Sequence, residues 1–412
     1  MKSIVLLMTV TQMPLWAIGW HKIEPADTVL PPGRFGHGAC WLPMQNALLI
    51  YGGTGKGWNP LGDLWVFYPD SLVWRELTPG YSPRARDFPG LCYIDSLDKV
   101  FVFGGKGGSG QFYNDVWLFN LSVMSWESLV VSNSPPPRNA PGCAYDPVGN
   151  RVIVFGGSGP GGSFMEDTWI FYPDSNKWHA VVGLHPHKRA ASVLSYDPIG
   201  YRMILFGGVY ADDQGGLVKL NDTWCFDLST LAWDSLEVLN LPPGRYDHGG
   251  MFDPTRNRFL VYGGDCAPVD QVWALDMSGL VWYQVETPPP TPGGHARITP
   301  LVPDTGFIYG YIFGGNINAQ GIFFQDLWAL DLSSPDVSEG IDKQPLSLSV
   351  SPNPAKSQVR ISFTLPEEGP YSLRLYDAAG RMVRDLGQAR KGGQPQGIAP
   401  TSFVWVPDVP RG

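Results

Sequence analysis

The feature that most constrains this chain is a pair of adjacent glycines that returns six times, each time behind a short apolar run. The pairs begin at Gly52, Gly104, Gly156, Gly207, Gly263 and Gly314, so successive copies stand 52, 52, 51, 56 and 51 residues apart. Around the third copy the order is clearest. The run Val152-Ile153-Val154-Phe155 meets Gly156-Gly157, a loop rich in glycine and serine follows, and then come Asp167-Thr168-Trp169 and a second tryptophan, Trp178. A unit of about 50 residues cannot bury its apolar face alone, so such units pack on like neighbours and share a core.

Within each unit the pattern predicts four short strands. In the third they are Gly142 to Tyr145, Arg151 to Phe155, Thr168 to Tyr172 and Lys177 to Val181. The turn Asp146-Pro147-Val148-Gly149-Asn150 separates the first two, because proline presets its φ and aspartate bonds the backbone beyond it. The 50 Gly and 39 Pro among 412 residues therefore mark turns rather than disorder, and 43% hydrophobic residues suffice for a large core. Trp65 and Trp74, Trp117 and Trp126, Trp169 and Trp178, Trp224 and Trp233, and Trp273 and Trp282 are each nine residues apart. A constant gap assigns each pair to fixed positions on the third and fourth strands of a propeller or solenoid unit. The sixth unit has Trp328, but Val337 stands nine residues on in a polar stretch. The missing outer strand is expected at the other end, where Trp20-His21-Lys22-Ile23 resembles Trp126-Glu127-Ser128-Leu129. It would complete the last sheet and leave no edge open.

Apolar residues before Gly-Gly and a spaced aromatic pair, six times over from Trp20 to about Ser333, resemble the kelch family. The resemblance implies an all-β, six-bladed kelch β-propeller around a central channel, closed by an N-terminal strand. Members of that family serve as protein-binding modules, as carbohydrate-acting enzymes and as scaffolds.

The remaining segments are read by composition. Lys2, the run Ile4 to Met8 and the small residues around Ala17-Ile18-Gly19 predict a signal peptide over 1–19. The propeller follows over 20–334, then a polar linker over 335–345 and a small immunoglobulin-like β-sandwich over 346–412 with period-two alternation. Its Ser351-Pro352-Asn353-Pro354, Phe363-Thr364-Leu365-Pro366 and Tyr376-Asp377-Ala378-Ala379-Gly380-Arg381 resemble the C-terminal sorting domain of bacterial type IX secretion. That family continues with a further strand, so the last strand is expected to be missing and the domain truncated. These readings make the protein secreted or attached to the cell surface, and a monomer. A net charge of -9 and the lack of a basic stripe argue against a nucleic-acid partner. No stretch beyond the signal approaches the length of a membrane helix. Cys40, Cys92 and Cys143 recur at similar strand positions and are expected in the core rather than in disulfides.

In an antiparallel unit the connections between second and third strands emerge on one rim, and here they are the long ones. Binding residues are therefore sought on that rim. It carries the starts of the first strands, at Arg34, Arg86, Arg138, Arg189, Arg245 and Arg297. Two readings stand for these. They form a cationic ring for carboxylates or polar peptides, or each ties its unit to the aspartate two residues before the third-strand tryptophan. Those aspartates are Asp63, Asp115, Asp167, Asp222 and Asp326, with Asp270 displaced by one. His37, Asp87, Asp247, His248 and His295 are candidates for polar contacts at the channel mouth. Trp58 and Tyr210 lie outside the tryptophan ladder and are candidates for stacking on a sugar or anchoring a peptide. Phe112, Phe164 and Phe323 repeat three residues before their aspartates and read as packing residues. No nucleophile motif, phosphate loop or metal spacing is present, so no catalytic residue, metal or cofactor is expected. The expected function is binding of a protein or glycan. The alternatives are a carbohydrate-active enzyme, as a galactose-oxidase-like oxidase or a sialic-acid isomerase, and a structural spacer.

Overall fold

The computed structural model describes residues 19–265, 271–287, 302–303, 309–317 and 321–331, and the backbone of five strands between residues 348 and 405. The chain divides into two compact units, the first over Leu15–Val337 and the second including Ser338–Gly412.

Among the described residues the first unit holds six four-stranded antiparallel sheets, beside smaller two- and three-stranded ones. In the third, Gly142–Asp146, Arg151–Phe155, Thr168–Tyr172 and Lys177–Val181 pair in chain order. Val152, Ile153, Val154 and Phe155 are all 0% exposed, because neighbouring sheets cover both faces of this strand. That explains an uninterrupted apolar run where a one-sided strand would alternate. The outer strand alternates instead, and only its Trp178 is buried. In the sixth sheet the strand Trp20–Ile23 pairs antiparallel with Leu327–Asp331, Trp20 opposite Leu330 and Lys22 opposite Trp328. The two ends of the unit thus meet in one sheet.

Each sheet shares a core with the next. Sheets three and four, for example, meet through Ile153, Phe155, Met203 and Leu205. The series returns to its start, since Trp41 and Ile50 of the first sheet pack with Tyr311 and Phe313 of the sixth. At every junction the aromatic residue before a glycine pair meets the outer-strand tryptophan of the following sheet. The pairs are Tyr51 with Trp126, Phe103 with Trp178, Phe155 with Trp233, Phe206 with Trp282, Tyr262 with Trp20 and Phe313 with Trp74, with ring centroids between 4.5 and 5.2 Å apart. Such pairs add about 0.5–1.5 kcal/mol each beyond the area they bury.

The glycine pair is the second joint. Gly157 N donates to Arg189 O at 2.8 Å, reaching from the third sheet to the start of the fourth. Gly53, Gly105, Gly208 and Gly315 make the same bond to Arg86, Arg138, Arg245 and Arg34 at 2.8–2.9 Å. Gly156 has φ 62°, and a Cβ there would lie 2.5 Å from the Arg189 carbonyl oxygen. Only glycine fits that approach.

At the opposite ends of the strands, Asp146 is 0% exposed. Its Oδ1 accepts from Val148 N and Gly149 N at 3.1 and 3.0 Å, and its Oδ2 from Arg151 Nε at 2.8 Å. Asp197 with Arg202 and Asp253 with Arg258 repeat the arrangement. Cys40, Cys92 and Cys225 are buried, Cys143 is partly so, and all four are free thiols. Cys266 lies outside the described residues. No helix among the described residues is long and apolar enough to cross a membrane.

In the second unit Leu348–Ser351, Val359–Phe363 and Thr401–Trp405 form a three-stranded antiparallel sheet, and Pro370–Tyr376 pairs with Met382–Arg390. The alternating segments of the sequence fall on these strands. The predicted linker and all of the predicted signal peptide except Gly19 lie outside the described residues.

Candidate functional site: the long-loop rim and the channel mouth

The first strands of the sheets line a central cavity of about 560 Å³. At its mouth stand Gly36, Phe88, Ala140, Ala191 and Asp247, each two residues after its sheet's arginine and each with φ between 47° and 61°. This left-handed backbone costs a non-glycine residue about 1–2 kcal/mol. It turns each amide toward the preceding sheet. Phe88 N donates to Gly36 O at 2.6 Å, Ala140 N to Phe88 O and Ala191 N to Ala140 O at 2.8 Å, and Asp247 N to Ala191 O at 3.0 Å. A backbone belt thus passes through five sheets. Outside it the long connections fold back as short hairpins. Thr54–Gly55 pairs with Asn59–Pro60, Val209–Ala211 with Leu217–Lys219, and Asn316–Ile317 with Ile322–Phe323.

The arginines do not reach a ligand. Arg34, Arg86, Arg138, Arg189 and Arg245 are all 0% exposed, which corrects their reading as a cationic binding ring. Arg138 grips Asp167 bidentately at 2.6 and 2.8 Å, and also donates to Gly156 O at 2.9 Å and Pro136 O at 3.1 Å. Arg34 with Asp63, Arg86 with Asp115 and Arg189 with Asp222 repeat it at 2.6–2.9 Å. The tie is the second of the two readings. Each carboxylate also accepts from the third-strand indole, as Trp169 Nε1 does to Asp167 Oδ2 at 2.7 Å. Burial alone raises the carboxyl pKa of Asp63, Asp115, Asp167 and Asp222. The guanidinium bonds and charge outweigh it, and all four lie below the ordinary carboxylate value. In the fifth sheet Gln271 takes the acid's position, accepting from Trp273 Nε1 at 3.1 Å. Asp270 lies outside the described residues.

His37 and His248 are likewise buried, at 4% and 6% exposure, and their rings meet Phe313 and Phe206 edge-on. Burial, with Arg34 beside it and Asp63 opposing, pushes His37 down to about 3. Burial and Arg245 push His248 well below the ordinary imidazole value. Both stay neutral at physiological pH and are buried rather than exposed for polar contacts at the mouth. His295 and Arg297 lie outside the described residues.

Asp247 lines the cavity, and Asp87 precedes Phe88, which also lines it. Asp87 Oδ2 accepts from Thr54 Oγ1 at 2.9 Å, while its buried Oδ1 has no donor among the described residues. Asp247 is pushed up to about 7 by burial and by the like charges of Asp265 and Asp87. Asp265, which the sequence did not single out, pairs with Lys219 at 3.2 Å and accepts from Tyr246 Oη at 2.7 Å. No group of three His, Cys, Asp or Glu among the described residues has metal-holding geometry.

Trp58 is 54% exposed with φ 62° at the tip of its hairpin. Its ring stands edge-on to Phe35 at 5.7 Å and Phe323 at 5.5 Å, and Phe35 in turn touches Phe88 at 5.9 Å. Phe323 is therefore part of a rim patch as well as a packing residue. Phe35 and Phe88 escaped the sequence because neither repeats in kind between units. Tyr210 is half-buried against His187, with ring centroids 4.2 Å apart. Asp212 Oδ1 accepts from Gln214 N and Gly216 N at 3.0 and 2.7 Å, so it closes a hairpin tip.

The model of the KLHDC2/KLHL20/DRC7 kelch-repeats domain matches residues 8–208 and 193–346. Among curated relatives, an F-box/kelch-repeat protein of Arabidopsis thaliana is 27% identical over 282 residues, 60% of this chain and 57% of the relative. Acyl-CoA-binding domain-containing protein 4 of the same plant is 27% identical over 268 residues, 62% of this chain and 38% of its own. Adagio-like protein 3 of Oryza sativa subsp. japonica is 27% identical over 282 residues, 64% and 43% respectively. The chain thus spans about two fifths to three fifths of these relatives' length. With the repeat model matched across both halves of the first unit, the chain belongs to the kelch-repeat family.

Proposed function

We propose that the first unit is a six-bladed kelch propeller that binds a protein partner on its long-loop rim. Six sheets joined in a closed series of cores support the propeller, and kelch repeats generally serve as protein-binding modules. The observation that carries the rim is Trp58. An indole 54% exposed, held out on a left-handed residue and backed by Phe35 and Phe323, has the form of an interface anchor. The test compares proteins retained from culture medium by the immobilised full chain and by two variants. Trp58→Asn removes the indole and keeps a residue that tolerates the backbone. Val148→Ser alters a residue 70% exposed on the opposite rim. Retained proteins should be lost with Trp58→Asn and kept with Val148→Ser, both variants melting within about 2 °C of wild type. Retention that survives Trp58→Asn, or is lost with Val148→Ser, sinks the assignment.

We also propose export to the cell surface. The charged-then-apolar N-terminal run and the sorting-domain markers of the C-terminal sequence support it. Fractionation of cells expressing the full chain should find it outside the cytoplasm, and a wholly cytoplasmic pool overturns the reading.

A further inference from the structure

The rim patch and the channel mouth are one continuous surface. Phe35 carries contact from Trp58 to Phe88, which lines the mouth, and Thr54 of the Trp58 hairpin holds Asp87. Four of the mouth's guanidiniums are locked onto Asp63, Asp115, Asp167 and Asp222 beneath the surface and lend it no positive charge. Arg245, the fifth, is 0% exposed and donates inward to Pro243 O and Gly263 O. Among the described residues the other ionisable groups at the mouth are mostly acidic. Asp247 lines the cavity with no donor to its carboxylate among the described residues, and Asp87 keeps a buried oxygen without one. Asp265 adds a third like charge, partly offset by Lys219. Lys106 lies beside Asp87 but extends over the Phe112 ring, 5.5 Å from its centroid. Next to Asp247, His248 lines the same cavity, is 6% exposed and has no ring hydrogen bond of full geometry, although it lies near the Phe206 backbone. A carboxylate desolvated among like charges is costly until a cation joins it.

We propose that this mouth selects a cationic segment of a partner protein, whose arginine or lysine enters beside Asp247 and Asp87 while an apolar neighbour covers Trp58 and Phe323. The proposal rests on the rim reading above and assigns the partner's chemistry. Charge complementarity decides the occupant, because a carboxylate at this mouth meets three acids and no available guanidinium from the locked set. The cavity of about 560 Å³ has room for one long side chain.

The probe is an array of acetylated, amidated heptapeptides. Arginine, its neutral isostere citrulline or glutamate is set beside leucine or phenylalanine, with the other positions randomised. The wild-type full chain should favour arginine over citrulline by about tenfold, and the preference should shrink at about 0.5 M salt. Asp87→Asn with Asp247→Asn, at unchanged melting temperature or higher, should abolish the preference. Trp58→Asn should weaken all bound peptides alike. Selection of glutamate or citrulline peptides, no binding at all, or an arginine preference that survives the double asparagine variant overturns the proposal. Should Trp58-dependent retention of proteins persist in any of those cases, the rim reading stands and only the partner's charge was misassigned.

Discussion

Asp63 and Asp247 are two carboxylates with opposite consequences for stability. Asp63 accepts both bonds of a bidentate pair from Arg34, whose guanidinium is 0% exposed. Asp63→Ala leaves that charge buried without its partner and should cost about 3–5 kcal/mol, read from urea unfolding. The folded carboxyl lies below its unfolded value, so this stabilisation is present above about pH 4 and is lost as pH falls further. Asp115, Asp167 and Asp222 share the direction, so acid unfolding should begin with these four ties. Asp247 runs the other way. Its folded pKa, about 7, exceeds the unfolded value, so folding loses free energy as pH rises from about 4 toward 7. The groups acting on it are Asp265 and Asp87, while neighbouring His248 is neutral. Asp247→Asn keeps a residue tolerant of φ 56° and should raise stability by roughly 1–2 kcal/mol at pH 8, with little gain at pH 4. Equal gains at both pH values would rule out the charge as the cause. The arginines show why residues alone left their role open: Arg138 and Asp167 are 29 positions apart, and only pairing of the strands between them brings them to 2.6 Å. The isolation of Asp247 was equally hidden, since it depends on Asp87 arriving from another sheet.

Elements were more legible than their joints. The four strands of each repeat could be placed because apolar runs, turn residues and the nine-residue tryptophan gap all follow local geometry. Trp20-His21-Lys22-Ile23 could be assigned as an outer strand from its likeness to the others, and it pairs with Leu327–Asp331. The glycine pair was legible only as a stop. Its larger role needs the next repeat's arginine carbonyl, 33 positions from Gly156, which no local pattern announces. Gly156→Ala tests that role. The left-handed φ costs alanine about 1–2 kcal/mol, and the Cβ placed 2.5 Å from Arg189 O must push the fourth sheet's start away. A loss above about 2 kcal/mol is expected, with faster amide exchange at Gly157, whose bond crosses that joint. An exposed loop glycine such as Gly161, with nothing near its would-be Cβ, should show only the backbone cost. Equal losses at the two sites would mean that the clamp contributes nothing. The rim site divides in the same way: Trp58 stood out because it falls outside a regular ladder, whereas Phe35 and Phe88 have no repeating counterpart.

At the scale of the whole molecule, the decisive contact is the one between chain ends. In a linear stack of repeats each unit depends on its immediate neighbours, and damage at one end stays local. Here Trp20 enters the core shared by the fifth and sixth sheets, 1% exposed and 4.5 Å from the Tyr262 ring. Its strand also supplies the outer edge of the sheet that packs on the first. Trp20→Ala should therefore cost about 3–5 kcal/mol, as a large buried aromatic does. The location of the loss distinguishes a ring from a stack. If the six sheets unfold as one closed body, amide exchange at Val152 to Phe155, on the far third sheet, should accelerate by the same factor as at Leu327 to Leu330. Acceleration confined to the sixth sheet and its two neighbours would show that closure adds contact without cooperativity. The rim could then no longer be treated as one rigid platform. A partner spanning Trp58 and Asp247 would have to hold together sheets that the fold itself leaves independent.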